Sequence, residues 1–255
     1  MIFDTHAHYD DERFDEDRDS LLKRLHQEGI SYILNASASP ESLGATMELA
    51  EKYPFVYAAL GIHPHDAEKM NEEIMNKIRT LSKNDKVVAV GEIGLDYYYD
   101  NSPRDIQRYW FERQIELAKE LRLPIIIHDR DAHEDTVNIL KKTDVKQVGG
   151  IFHCFSGSAQ MAMEMLKLNL YIAVGGAVTF KNARKTVEVV KAVPLEKLLV
   201  ETDCPYLSPE PHRGKRNNSG YLVHIIRKIA EIKEISESEV AEITLMNAKK
   251  VFGLK

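Results

Sequence analysis

The chain has 255 residues, 44% of them hydrophobic, which is enough to bury a large core and excludes disordered and fibrous classes. Its length matches that of one (β/α)8 barrel, so we predict a single domain over residues 1–255. A formal net charge of −6 disfavours general affinity for nucleic acid, but it does not exclude a local basic patch.

Nothing in the sequence indicates a membrane anchor or an export signal. No apolar stretch reaches about 18 residues, and the chain opens on Met-Ile-Phe-Asp-Thr-His rather than on a basic cluster followed by an apolar stretch. The cysteines, Cys154 and Cys204, are far apart in the sequence. Because the cytosol keeps thiols reduced, we expect a soluble, cytoplasmic monomer with buried thiols, no disulfide and no membrane contact.

Short apolar, β-branched runs recur along the whole chain and predict eight strands. They cover residues 2–5, 31–35, 55–60, 87–91, 124–127, 148–152, 170–174 and 198–202. Segments with apolar residues at helical spacing lie between them, and Ser102-Pro103-Arg104 is a typical helix start. The alternation predicts a parallel (β/α)8 TIM barrel, with an open doubly wound sheet as the alternative.

The end of the chain departs from this alternation in two places. Residues 204–220, rich in Pro, Arg, Lys, Asn and Gly, follow the last predicted strand and predict a long loop of the kind that usually carries function. Residues 236–252 come after the eighth unit and predict an extra C-terminal helix.

Nearly every predicted strand ends on a possible metal ligand. Because the carboxyl ends of barrel strands converge on one face, residues distant in sequence would share a pocket there. These strand-end residues are His6, His8, His63, His65, Glu92, His128, His153 and Asp203. Mixed histidine and carboxylate ligands suit Zn, Mn, Mg, Ni or Fe, so they support hydrolysis by an activated water without identifying the metal.

The first and last strands each carry a second carboxylate. His6 and His8 are two residues apart on a strand and can address one ion, while Asp4 on the same face is expected to hydrogen-bond behind them. Asp203 is the best candidate to hold and orient a metal-activated water, and Glu201 is expected to accept a hydrogen bond behind the ligands.

Glu92 lies between two glycines in V-G-E-I-G-L-D-Y-Y, directly after a predicted strand. A charge there is unfavourable unless it is paired or coordinated, so we expect Glu92 to bridge two cations rather than to be a solvated loop residue. Asp96 in the same motif is expected to be more exposed and structural.

The chain resembles the TatD-type metal-dependent deoxyribonucleases, a family of amidohydrolase-like barrel hydrolases. The resemblance rests on motifs that run in order from residue 4 to residue 252. They are D-T-H-A-H (4–8), G-I-H-P-H (61–65), G-E-I-G-L-D-Y (91–97), P-I-I-I-H (124–128), H-C-F-S-G (153–157), E-T-D-C-P-Y-L (201–207), R-G-K-R-N (213–217) and N-A-K-K-V-F (247–252).

The resemblance implies a (β/α)8 fold and two divalent metal ions, with Mg or Mn as the working ions and Zn or Ni as possible occupants of a purified sample. It further implies hydrolysis of DNA phosphodiester bonds in the 3′ to 5′ direction, on single strands or 3′ ends, with Asp203 and Glu92 as catalytic residues. The implied metal ligands are His6, His8, Glu92, His128, His153 and Asp203.

Substrate contacts are expected around this site. The resemblance implies that His63 and His65 lie near the pocket, and that His63 meets substrate phosphate rather than metal. Arg213, Lys215 and Arg216 would neutralise phosphate, unless they form only a solvated surface run. The tyrosines at 97–99 either stack a base or pack over the barrel rim.

One departure from the family pattern falls in this loop. The family usually has an acidic residue and Pro after R-G-K-R-N, whereas residues 218–220 read Asn-Ser-Gly here, which leaves the course of the loop open.

Two other functions remain open at this stage. The same barrel and metals could hydrolyse another bond, such as a lactone, an amide or a tRNA-linked ester, and only substrate turnover separates these reactions. A catalytically silent metal-binding scaffold is disfavoured, because structural metal sites are closed whereas these ligands lie on a substrate-facing rim.

Overall fold

The computed structural model describes residues 1–254 as a single (β/α)8 barrel with an added C-terminal helix. The strands are β1 (Ile2–Ala7), β2 (Ile30–Ala36), β3 (Val56–Ala59), β4 (Val87–Asp96), β5 (Ile125–Arg130), β6 (Gly150–Phe152), β7 (Leu170–Val174) and β8 (Leu198–Val200). The helices are α1 (Arg18–Gln27), α2 (Ser42–Lys52), α3 (Glu72–Leu81), α4 (Arg104–Leu121), α5 (His133–Lys142), α6 (Ala159–Lys167), α7 (Arg184–Ala192), α8 (Leu222–Lys233) and α9 (Glu237–Val251).

Each strand pairs in parallel with the next, from β1 to β8, and the end of the series returns to β1. The backbone N–H of Asp203 donates to the His6 carbonyl at 2.9 Å, and the N–H of His8 donates to the Cys204 carbonyl at 2.8 Å. The predicted TIM barrel is therefore confirmed, and the open doubly wound alternative is wrong.

The barrel interior has an apolar end and a polar end. The apolar end lies at the amino ends of the strands, and α9 packs across it, with the rings of Phe3 and Phe252 5.7 Å apart. Its buried side chains are Phe3, Leu34, Ala36, Ala59, Val88, Ala89, Ile126, Ile151, Tyr171, Ala173, Leu199, Leu245, Ala248 and Phe252. Two residues further along β5 and β6, on the same faces, the side chains are His128 and His153.

β4 is longer than the sequence predicts, because it continues through the glycine-rich motif to Asp96. Gly94 has a φ of +151°, and a Cβ at this position would lie 1.9 Å from the carbonyl oxygen of His128. Only glycine therefore lets β4 approach β5 so closely. The extension places Glu92 inside a buried strand, so the alternative of a solvated loop glutamate is wrong.

The long loop between β8 and α8 is irregular apart from a bridge at Cys204 and one 3-10 turn, Ser219–Tyr221. Asn217 anchors it by donating to the carbonyls of Thr202 and Tyr206 at 2.8 and 2.7 Å. Where the sequence departs from the family pattern, Asn218 caps the 3-10 turn by accepting the N–H of Gly220 at 3.0 Å.

Both cysteines are free, as predicted. Cys204 is buried, whereas Cys154 is partly exposed, so the prediction of a buried thiol is correct for Cys204 only. Within residues 1–254, no helix combines the length and the apolar character that crossing a bilayer requires.

Candidate metal centre

Glu92 stands at the middle of the polar end, and its two carboxylate oxygens face different groups of side chains. Oε2 lies 3.3 Å from Nε2 of His6 and 3.5 Å from Nε2 of His8. Oδ1 of Asp203 completes this first group, 3.7 and 3.5 Å from the same two nitrogens. Tetrahedral ligands at about 2.0–2.2 Å from a metal are about 3.3–3.6 Å apart, so the spacing of this group fits a cation.

A second group gathers around the other oxygen of Glu92. Oε1 lies 2.7 Å from Nδ1 of His128 and 3.0 Å from Nε2 of His153, and these two nitrogens are 3.4 Å apart. The structure thus brings together all six side chains that the family resemblance implied as ligands. Glu92 lies between the two groups, in the position of a bridging carboxylate.

Hydrogen bonds from behind determine which ring nitrogen of two histidines faces the pocket. Nδ1 of His8 lies 2.9 Å from the carbonyl oxygen of Ala36, which can only accept a proton. Nε2 of His128 lies 3.2 Å from a carboxylate oxygen of Asp96. When neutral, both rings therefore keep a lone pair on the nitrogen that faces Glu92, as metal ligation requires.

The charge balance of the cluster also favours a cation. Burial raises the pKa of Glu92, but the surrounding histidines, His153 above all, together outweigh burial and hold this pKa well below its usual range. Burial lowers the pKa of His8, but Asp203 and Glu92 outweigh burial and raise it to about 9. The carboxylates thus stay ionised and attract positive charge, which bound divalent cations supply.

Two carboxylates support the histidines from the side away from the pocket. Oδ2 of Asp96 accepts from His65 at 2.9 Å and from His128 at 3.2 Å. Oε1 of Glu201 accepts the backbone N–H of Cys154 at 2.5 Å and lies 3.5 Å from Nδ1 of His153. The predicted position of Glu201 behind the ligands agrees with this geometry.

Asp96 is a correction to the sequence analysis. Its side chain is only 1% exposed, not solvent-facing as expected. Glu92 and Asp96 are four residues apart on one strand and hence on the same face, which was the available signal. The apolar run of the sequence ends near Gly91, so the sequence pattern ends the strand before Asp96 and hides this alternation.

Asp4 lies behind the seam between β1 and β8, not behind a histidine ring. It accepts from the backbone and hydroxyl of Thr202 at 2.9 and 2.6 Å, and from the hydroxyl of Ser219 at 2.7 Å. Burial raises its pKa to about 7. Asp4 contacts His6 only through the backbone N–H, at 3.4 Å, so its role is to hold the strand ends together.

His63 and His65 differ from the six clustered side chains. Nδ1 of His63 accepts the backbone N–H of His65 at 3.1 Å, so its ring proton lies on Nε2, 3.6 Å from Glu92. Burial and the charge of His128 hold the pKa of His63 well below its usual range. His63 therefore presents a neutral N–H donor to the pocket, whereas Nε2 of His65 is hydrogen-bonded to Asp96.

The three cations of the loop have different surroundings. The Arg213 guanidinium lies 3.8 Å from the ring centre of Phe180, and Lys215 is exposed. Arg216 instead donates to both carboxylate oxygens of Asp17, at 2.8 and 2.6 Å. The charge of Arg216 is thus neutralised within the fold, while Arg213 and Lys215 form no ion pair among residues 1–254.

A TIM barrel with clustered histidines and carboxylates at the carboxyl ends of its strands defines the class of metal-dependent barrel hydrolases. Comparison with known proteins narrows this class. Residues 3–253 match the sequence profile of the family described as "TatD related DNase". The chain is 51% identical over 254 residues to the uncharacterized metal-dependent hydrolase YabD of Bacillus subtilis, and the match covers 100% of both chains.

Two further relatives support the same family assignment. The 3'-5' ssDNA/RNA exonuclease TatD of Citrobacter rodentium is 33% identical over 259 residues, covering 99% of this chain and 98% of its own. The crystal structure of the TatD homologue YjjV from Escherichia coli superposes with a TM-score of 0.93 at 34% identity, covering 100% of this chain and 98% of YjjV. The chain belongs to the TatD-related DNase family and is a metal-dependent hydrolase.

Proposed function

We propose that this hydrolase cleaves the phosphodiester bonds of DNA, acting from the 3′ end of single strands with Mg or Mn. The observation that carries the proposal is Glu92, whose two oxygens face two separate ligand groups 2.7–3.5 Å away. Paired metal sites of this kind are typical of enzymes that displace an oxygen at phosphorus. The printed activity of the Citrobacter rodentium relative supports the choice of substrate.

The residues divide into two sets around the bridging carboxylate. His6, His8 and Asp203 would hold one cation, His128 and His153 would hold the other, and Glu92 would bind both. When bound, the cations supply Lewis-acid activation of water and neutralise charge on the scissile phosphate.

Asp203 has the position and the charge of a proton acceptor. Burial raises its pKa, but the hydrogen bond from His8 and the charges of the neighbouring histidines together outweigh burial and lower this pKa below its usual range. Asp203 is therefore ionised, and its carboxylate can orient the attacking water and accept its proton. Glu92 would hold both cations in place beside the reacting atoms, whereas Asp203 would act on the water itself.

Substrate phosphate is held by donors around the rim. Neutral His63 donates from Nε2 to a non-bridging phosphate oxygen, and Arg213 and Lys215 neutralise the neighbouring phosphates. Arg216 contributes less than the sequence suggested, because Asp17 already neutralises it. His65 assists through Asp96 rather than by direct contact.

The test uses chelated protein resupplied with Mg or Mn, and single-stranded DNA labelled at either end. We expect the 5′-labelled strand to shorten stepwise and the 3′-labelled strand to release its label at once. Matched RNA, a small phosphodiester and a panel of lactones, amides and carboxylic esters run in parallel. Turnover of a carboxylic ester or amide without any turnover of phosphodiesters would contradict the proposal.

A further inference from the structure

Three tyrosines are exposed at the carboxyl end of the barrel, and each is covered on one side by an arginine. Tyr98 and Tyr99 follow β4 and are 58% and 54% exposed, with the Arg130 guanidinium 4.0 and 4.7 Å from their ring centres. Tyr206 follows β8 and is 47% exposed, with the Arg13 guanidinium 4.2 Å from its ring centre. Exposed aromatic rings at a site mouth are typical of ligand contacts.

The two groups of tyrosines lie on opposite sides of the metal centre. β4 and β8 are four strands apart in an eight-stranded barrel, so their ends face each other across the mouth. On one side, the ring of Tyr99 lies edge-on to His65 at 5.2 Å. On the other side, the ring of Tyr206 lies edge-on to His8 at 6.3 Å. A chain crossing the mouth would pass the clustered carboxylates between them.

Asp96 connects one of these groups rigidly to the centre. Its Oδ1 accepts the backbone N–H groups of Tyr98 and Tyr99 at 3.0 and 2.9 Å. Its Oδ2 accepts from the rings of His65 and His128. One buried carboxylate thus sets the position of both the exposed rings and a histidine of the second ligand group.

The chemistry of the two groups selects an occupant with flat faces, and the first group adds a preference for negative charge, whereas Arg13 of the second group is paired with Asp11 at 2.7 Å. Arg130 has no carboxylate partner among residues 1–254, so its charge is available to a phosphate, and the uncovered ring surface is available for stacking. Bases of an unpaired strand expose their faces for stacking on aromatic side chains, whereas bases of a duplex stack on each other.

We propose that Tyr98 and Tyr99 on one side, and Tyr206 on the other, form a two-sided cleft that binds an unpaired nucleic-acid strand. Bases flanking the scissile phosphate stack on the two sides, and Arg130 neutralises a neighbouring phosphate. This cleft selects single strands over duplexes. The inference rests on the proposed function for the identity of the strand, but not for the geometry of the cleft.

The experiment measures binding of a fluorescent single-stranded oligonucleotide to Mg-loaded protein by anisotropy, in an Asp203→Asn background so that the strand survives. Tyr98→Ala combined with Tyr99→Ala, and Tyr206→Ala separately, should each weaken binding by about 10- to 100-fold. The corresponding Phe variants should restore it, because phenylalanine keeps the stacking face. Tyr109→Ala is the matched control, since Tyr109 is 50% exposed on α4 and also contacts an arginine.

A duplex of the same sequence should bind more weakly and respond less to the alanine variants. Alanine variants that bind the single strand like their parent would overturn the inference, and so would a parent that prefers the duplex. Equal loss in Tyr109→Ala would overturn it as well. Turnover of phosphodiesters by the unmodified protein is measured separately. If the protein binds single strands through these tyrosines but cleaves no phosphodiester, the inference about the cleft is supported and the proposed function is contradicted.

Discussion

The two ends of the barrel interior are built by the same strands and have opposite chemistry. On β5, Ile126 belongs to the apolar end and His128, two residues later, to the polar end. From Ile151 on β6 the same step leads to His153, one residue beyond the strand. The interior therefore changes from apolar core to polar site between two successive inward-facing residues, which are about 7 Å apart along a strand.

This difference teaches where stability and chemistry are located. The apolar end is sealed by α9 and gains free energy of folding from burying side chains such as Phe252, which is 5% exposed. The polar end buries ionised carboxylates among histidines, an arrangement that costs folding free energy until a cation is bound. Changes at one end should therefore affect folding, and changes at the other should affect turnover.

The largest effect is expected at the polar end. Asp203→Asn removes the proton acceptor and one carboxylate ligand, so hydrolysis should fall by about 1000-fold or more while the far-UV circular dichroism changes little. Asp144→Asn is the matched control, because both aspartates have a positive φ, 57° and 49°, and Asp144 is exposed. A variant that keeps most of its turnover would move the catalytic role to another residue.

The next effect belongs to the apolar end. Phe252→Ala should lower the free energy of unfolding by about 3–5 kcal/mol, because it leaves a cavity against Phe3. Metal content and turnover per folded molecule should not change. Urea denaturation measures the first quantity and metal analysis the second. Met246→Ala, on α9 a few residues before Phe252 but 63% exposed, serves as control. Loss of metal in Phe252→Ala would break the proposed separation of the two ends.

Removing the metal should stop the chemistry of the polar end and lower stability, but it should leave the apolar end folded. A chelator should abolish hydrolysis, and Mg or Mn should restore it. Stability should fall by about 2.7 kcal/mol relative to protein at a metal concentration 100-fold above its dissociation constant. The chelated protein should still be folded by circular dichroism, because the apolar end does not need the metal. Full activity after chelation would exclude the metal-dependent mechanism.

The smallest effects separate two neighbouring arginines of the loop. Arg213→Ala should weaken DNA affinity by about 1–3 kcal/mol, and the slope of log affinity against log salt should flatten by about 0.7. Arg216→Ala should instead cost about 1 kcal/mol of folding stability, because it breaks the ion pair with Asp17. Both are measured in the Asp203→Asn background, so that the substrate survives. Equal loss of affinity in both variants would show that Arg216 also holds phosphate.

The sequence was sufficient for the barrel, because strand and helix patterns alternate along it. The ends of its apolar runs indicated eight candidate ligands, and the family resemblance separated the six clustered side chains from His63 and His65. It was insufficient where partners are far apart along the chain. Arg216 meets Asp17 across 199 positions, and nothing local to either residue indicates the pair. Asp96 and the exposure of Tyr98 depend on how far β4 extends, which the glycines of that strand obscured.

The first ligand group can form only after β1 and β8 have come together, because it takes residues from both. His6 and His8 come from the first strand and Asp203 from just beyond the last, and Asp4 meets Thr202 across 198 positions. Such contacts have high contact order, so they form late in folding. A chain still emerging from the ribosome carries its first histidines long before Asp203 is synthesised. Metal affinity therefore reports completion of the fold, and a premature stop before β8 leaves a chain that cannot assemble the first ligand group.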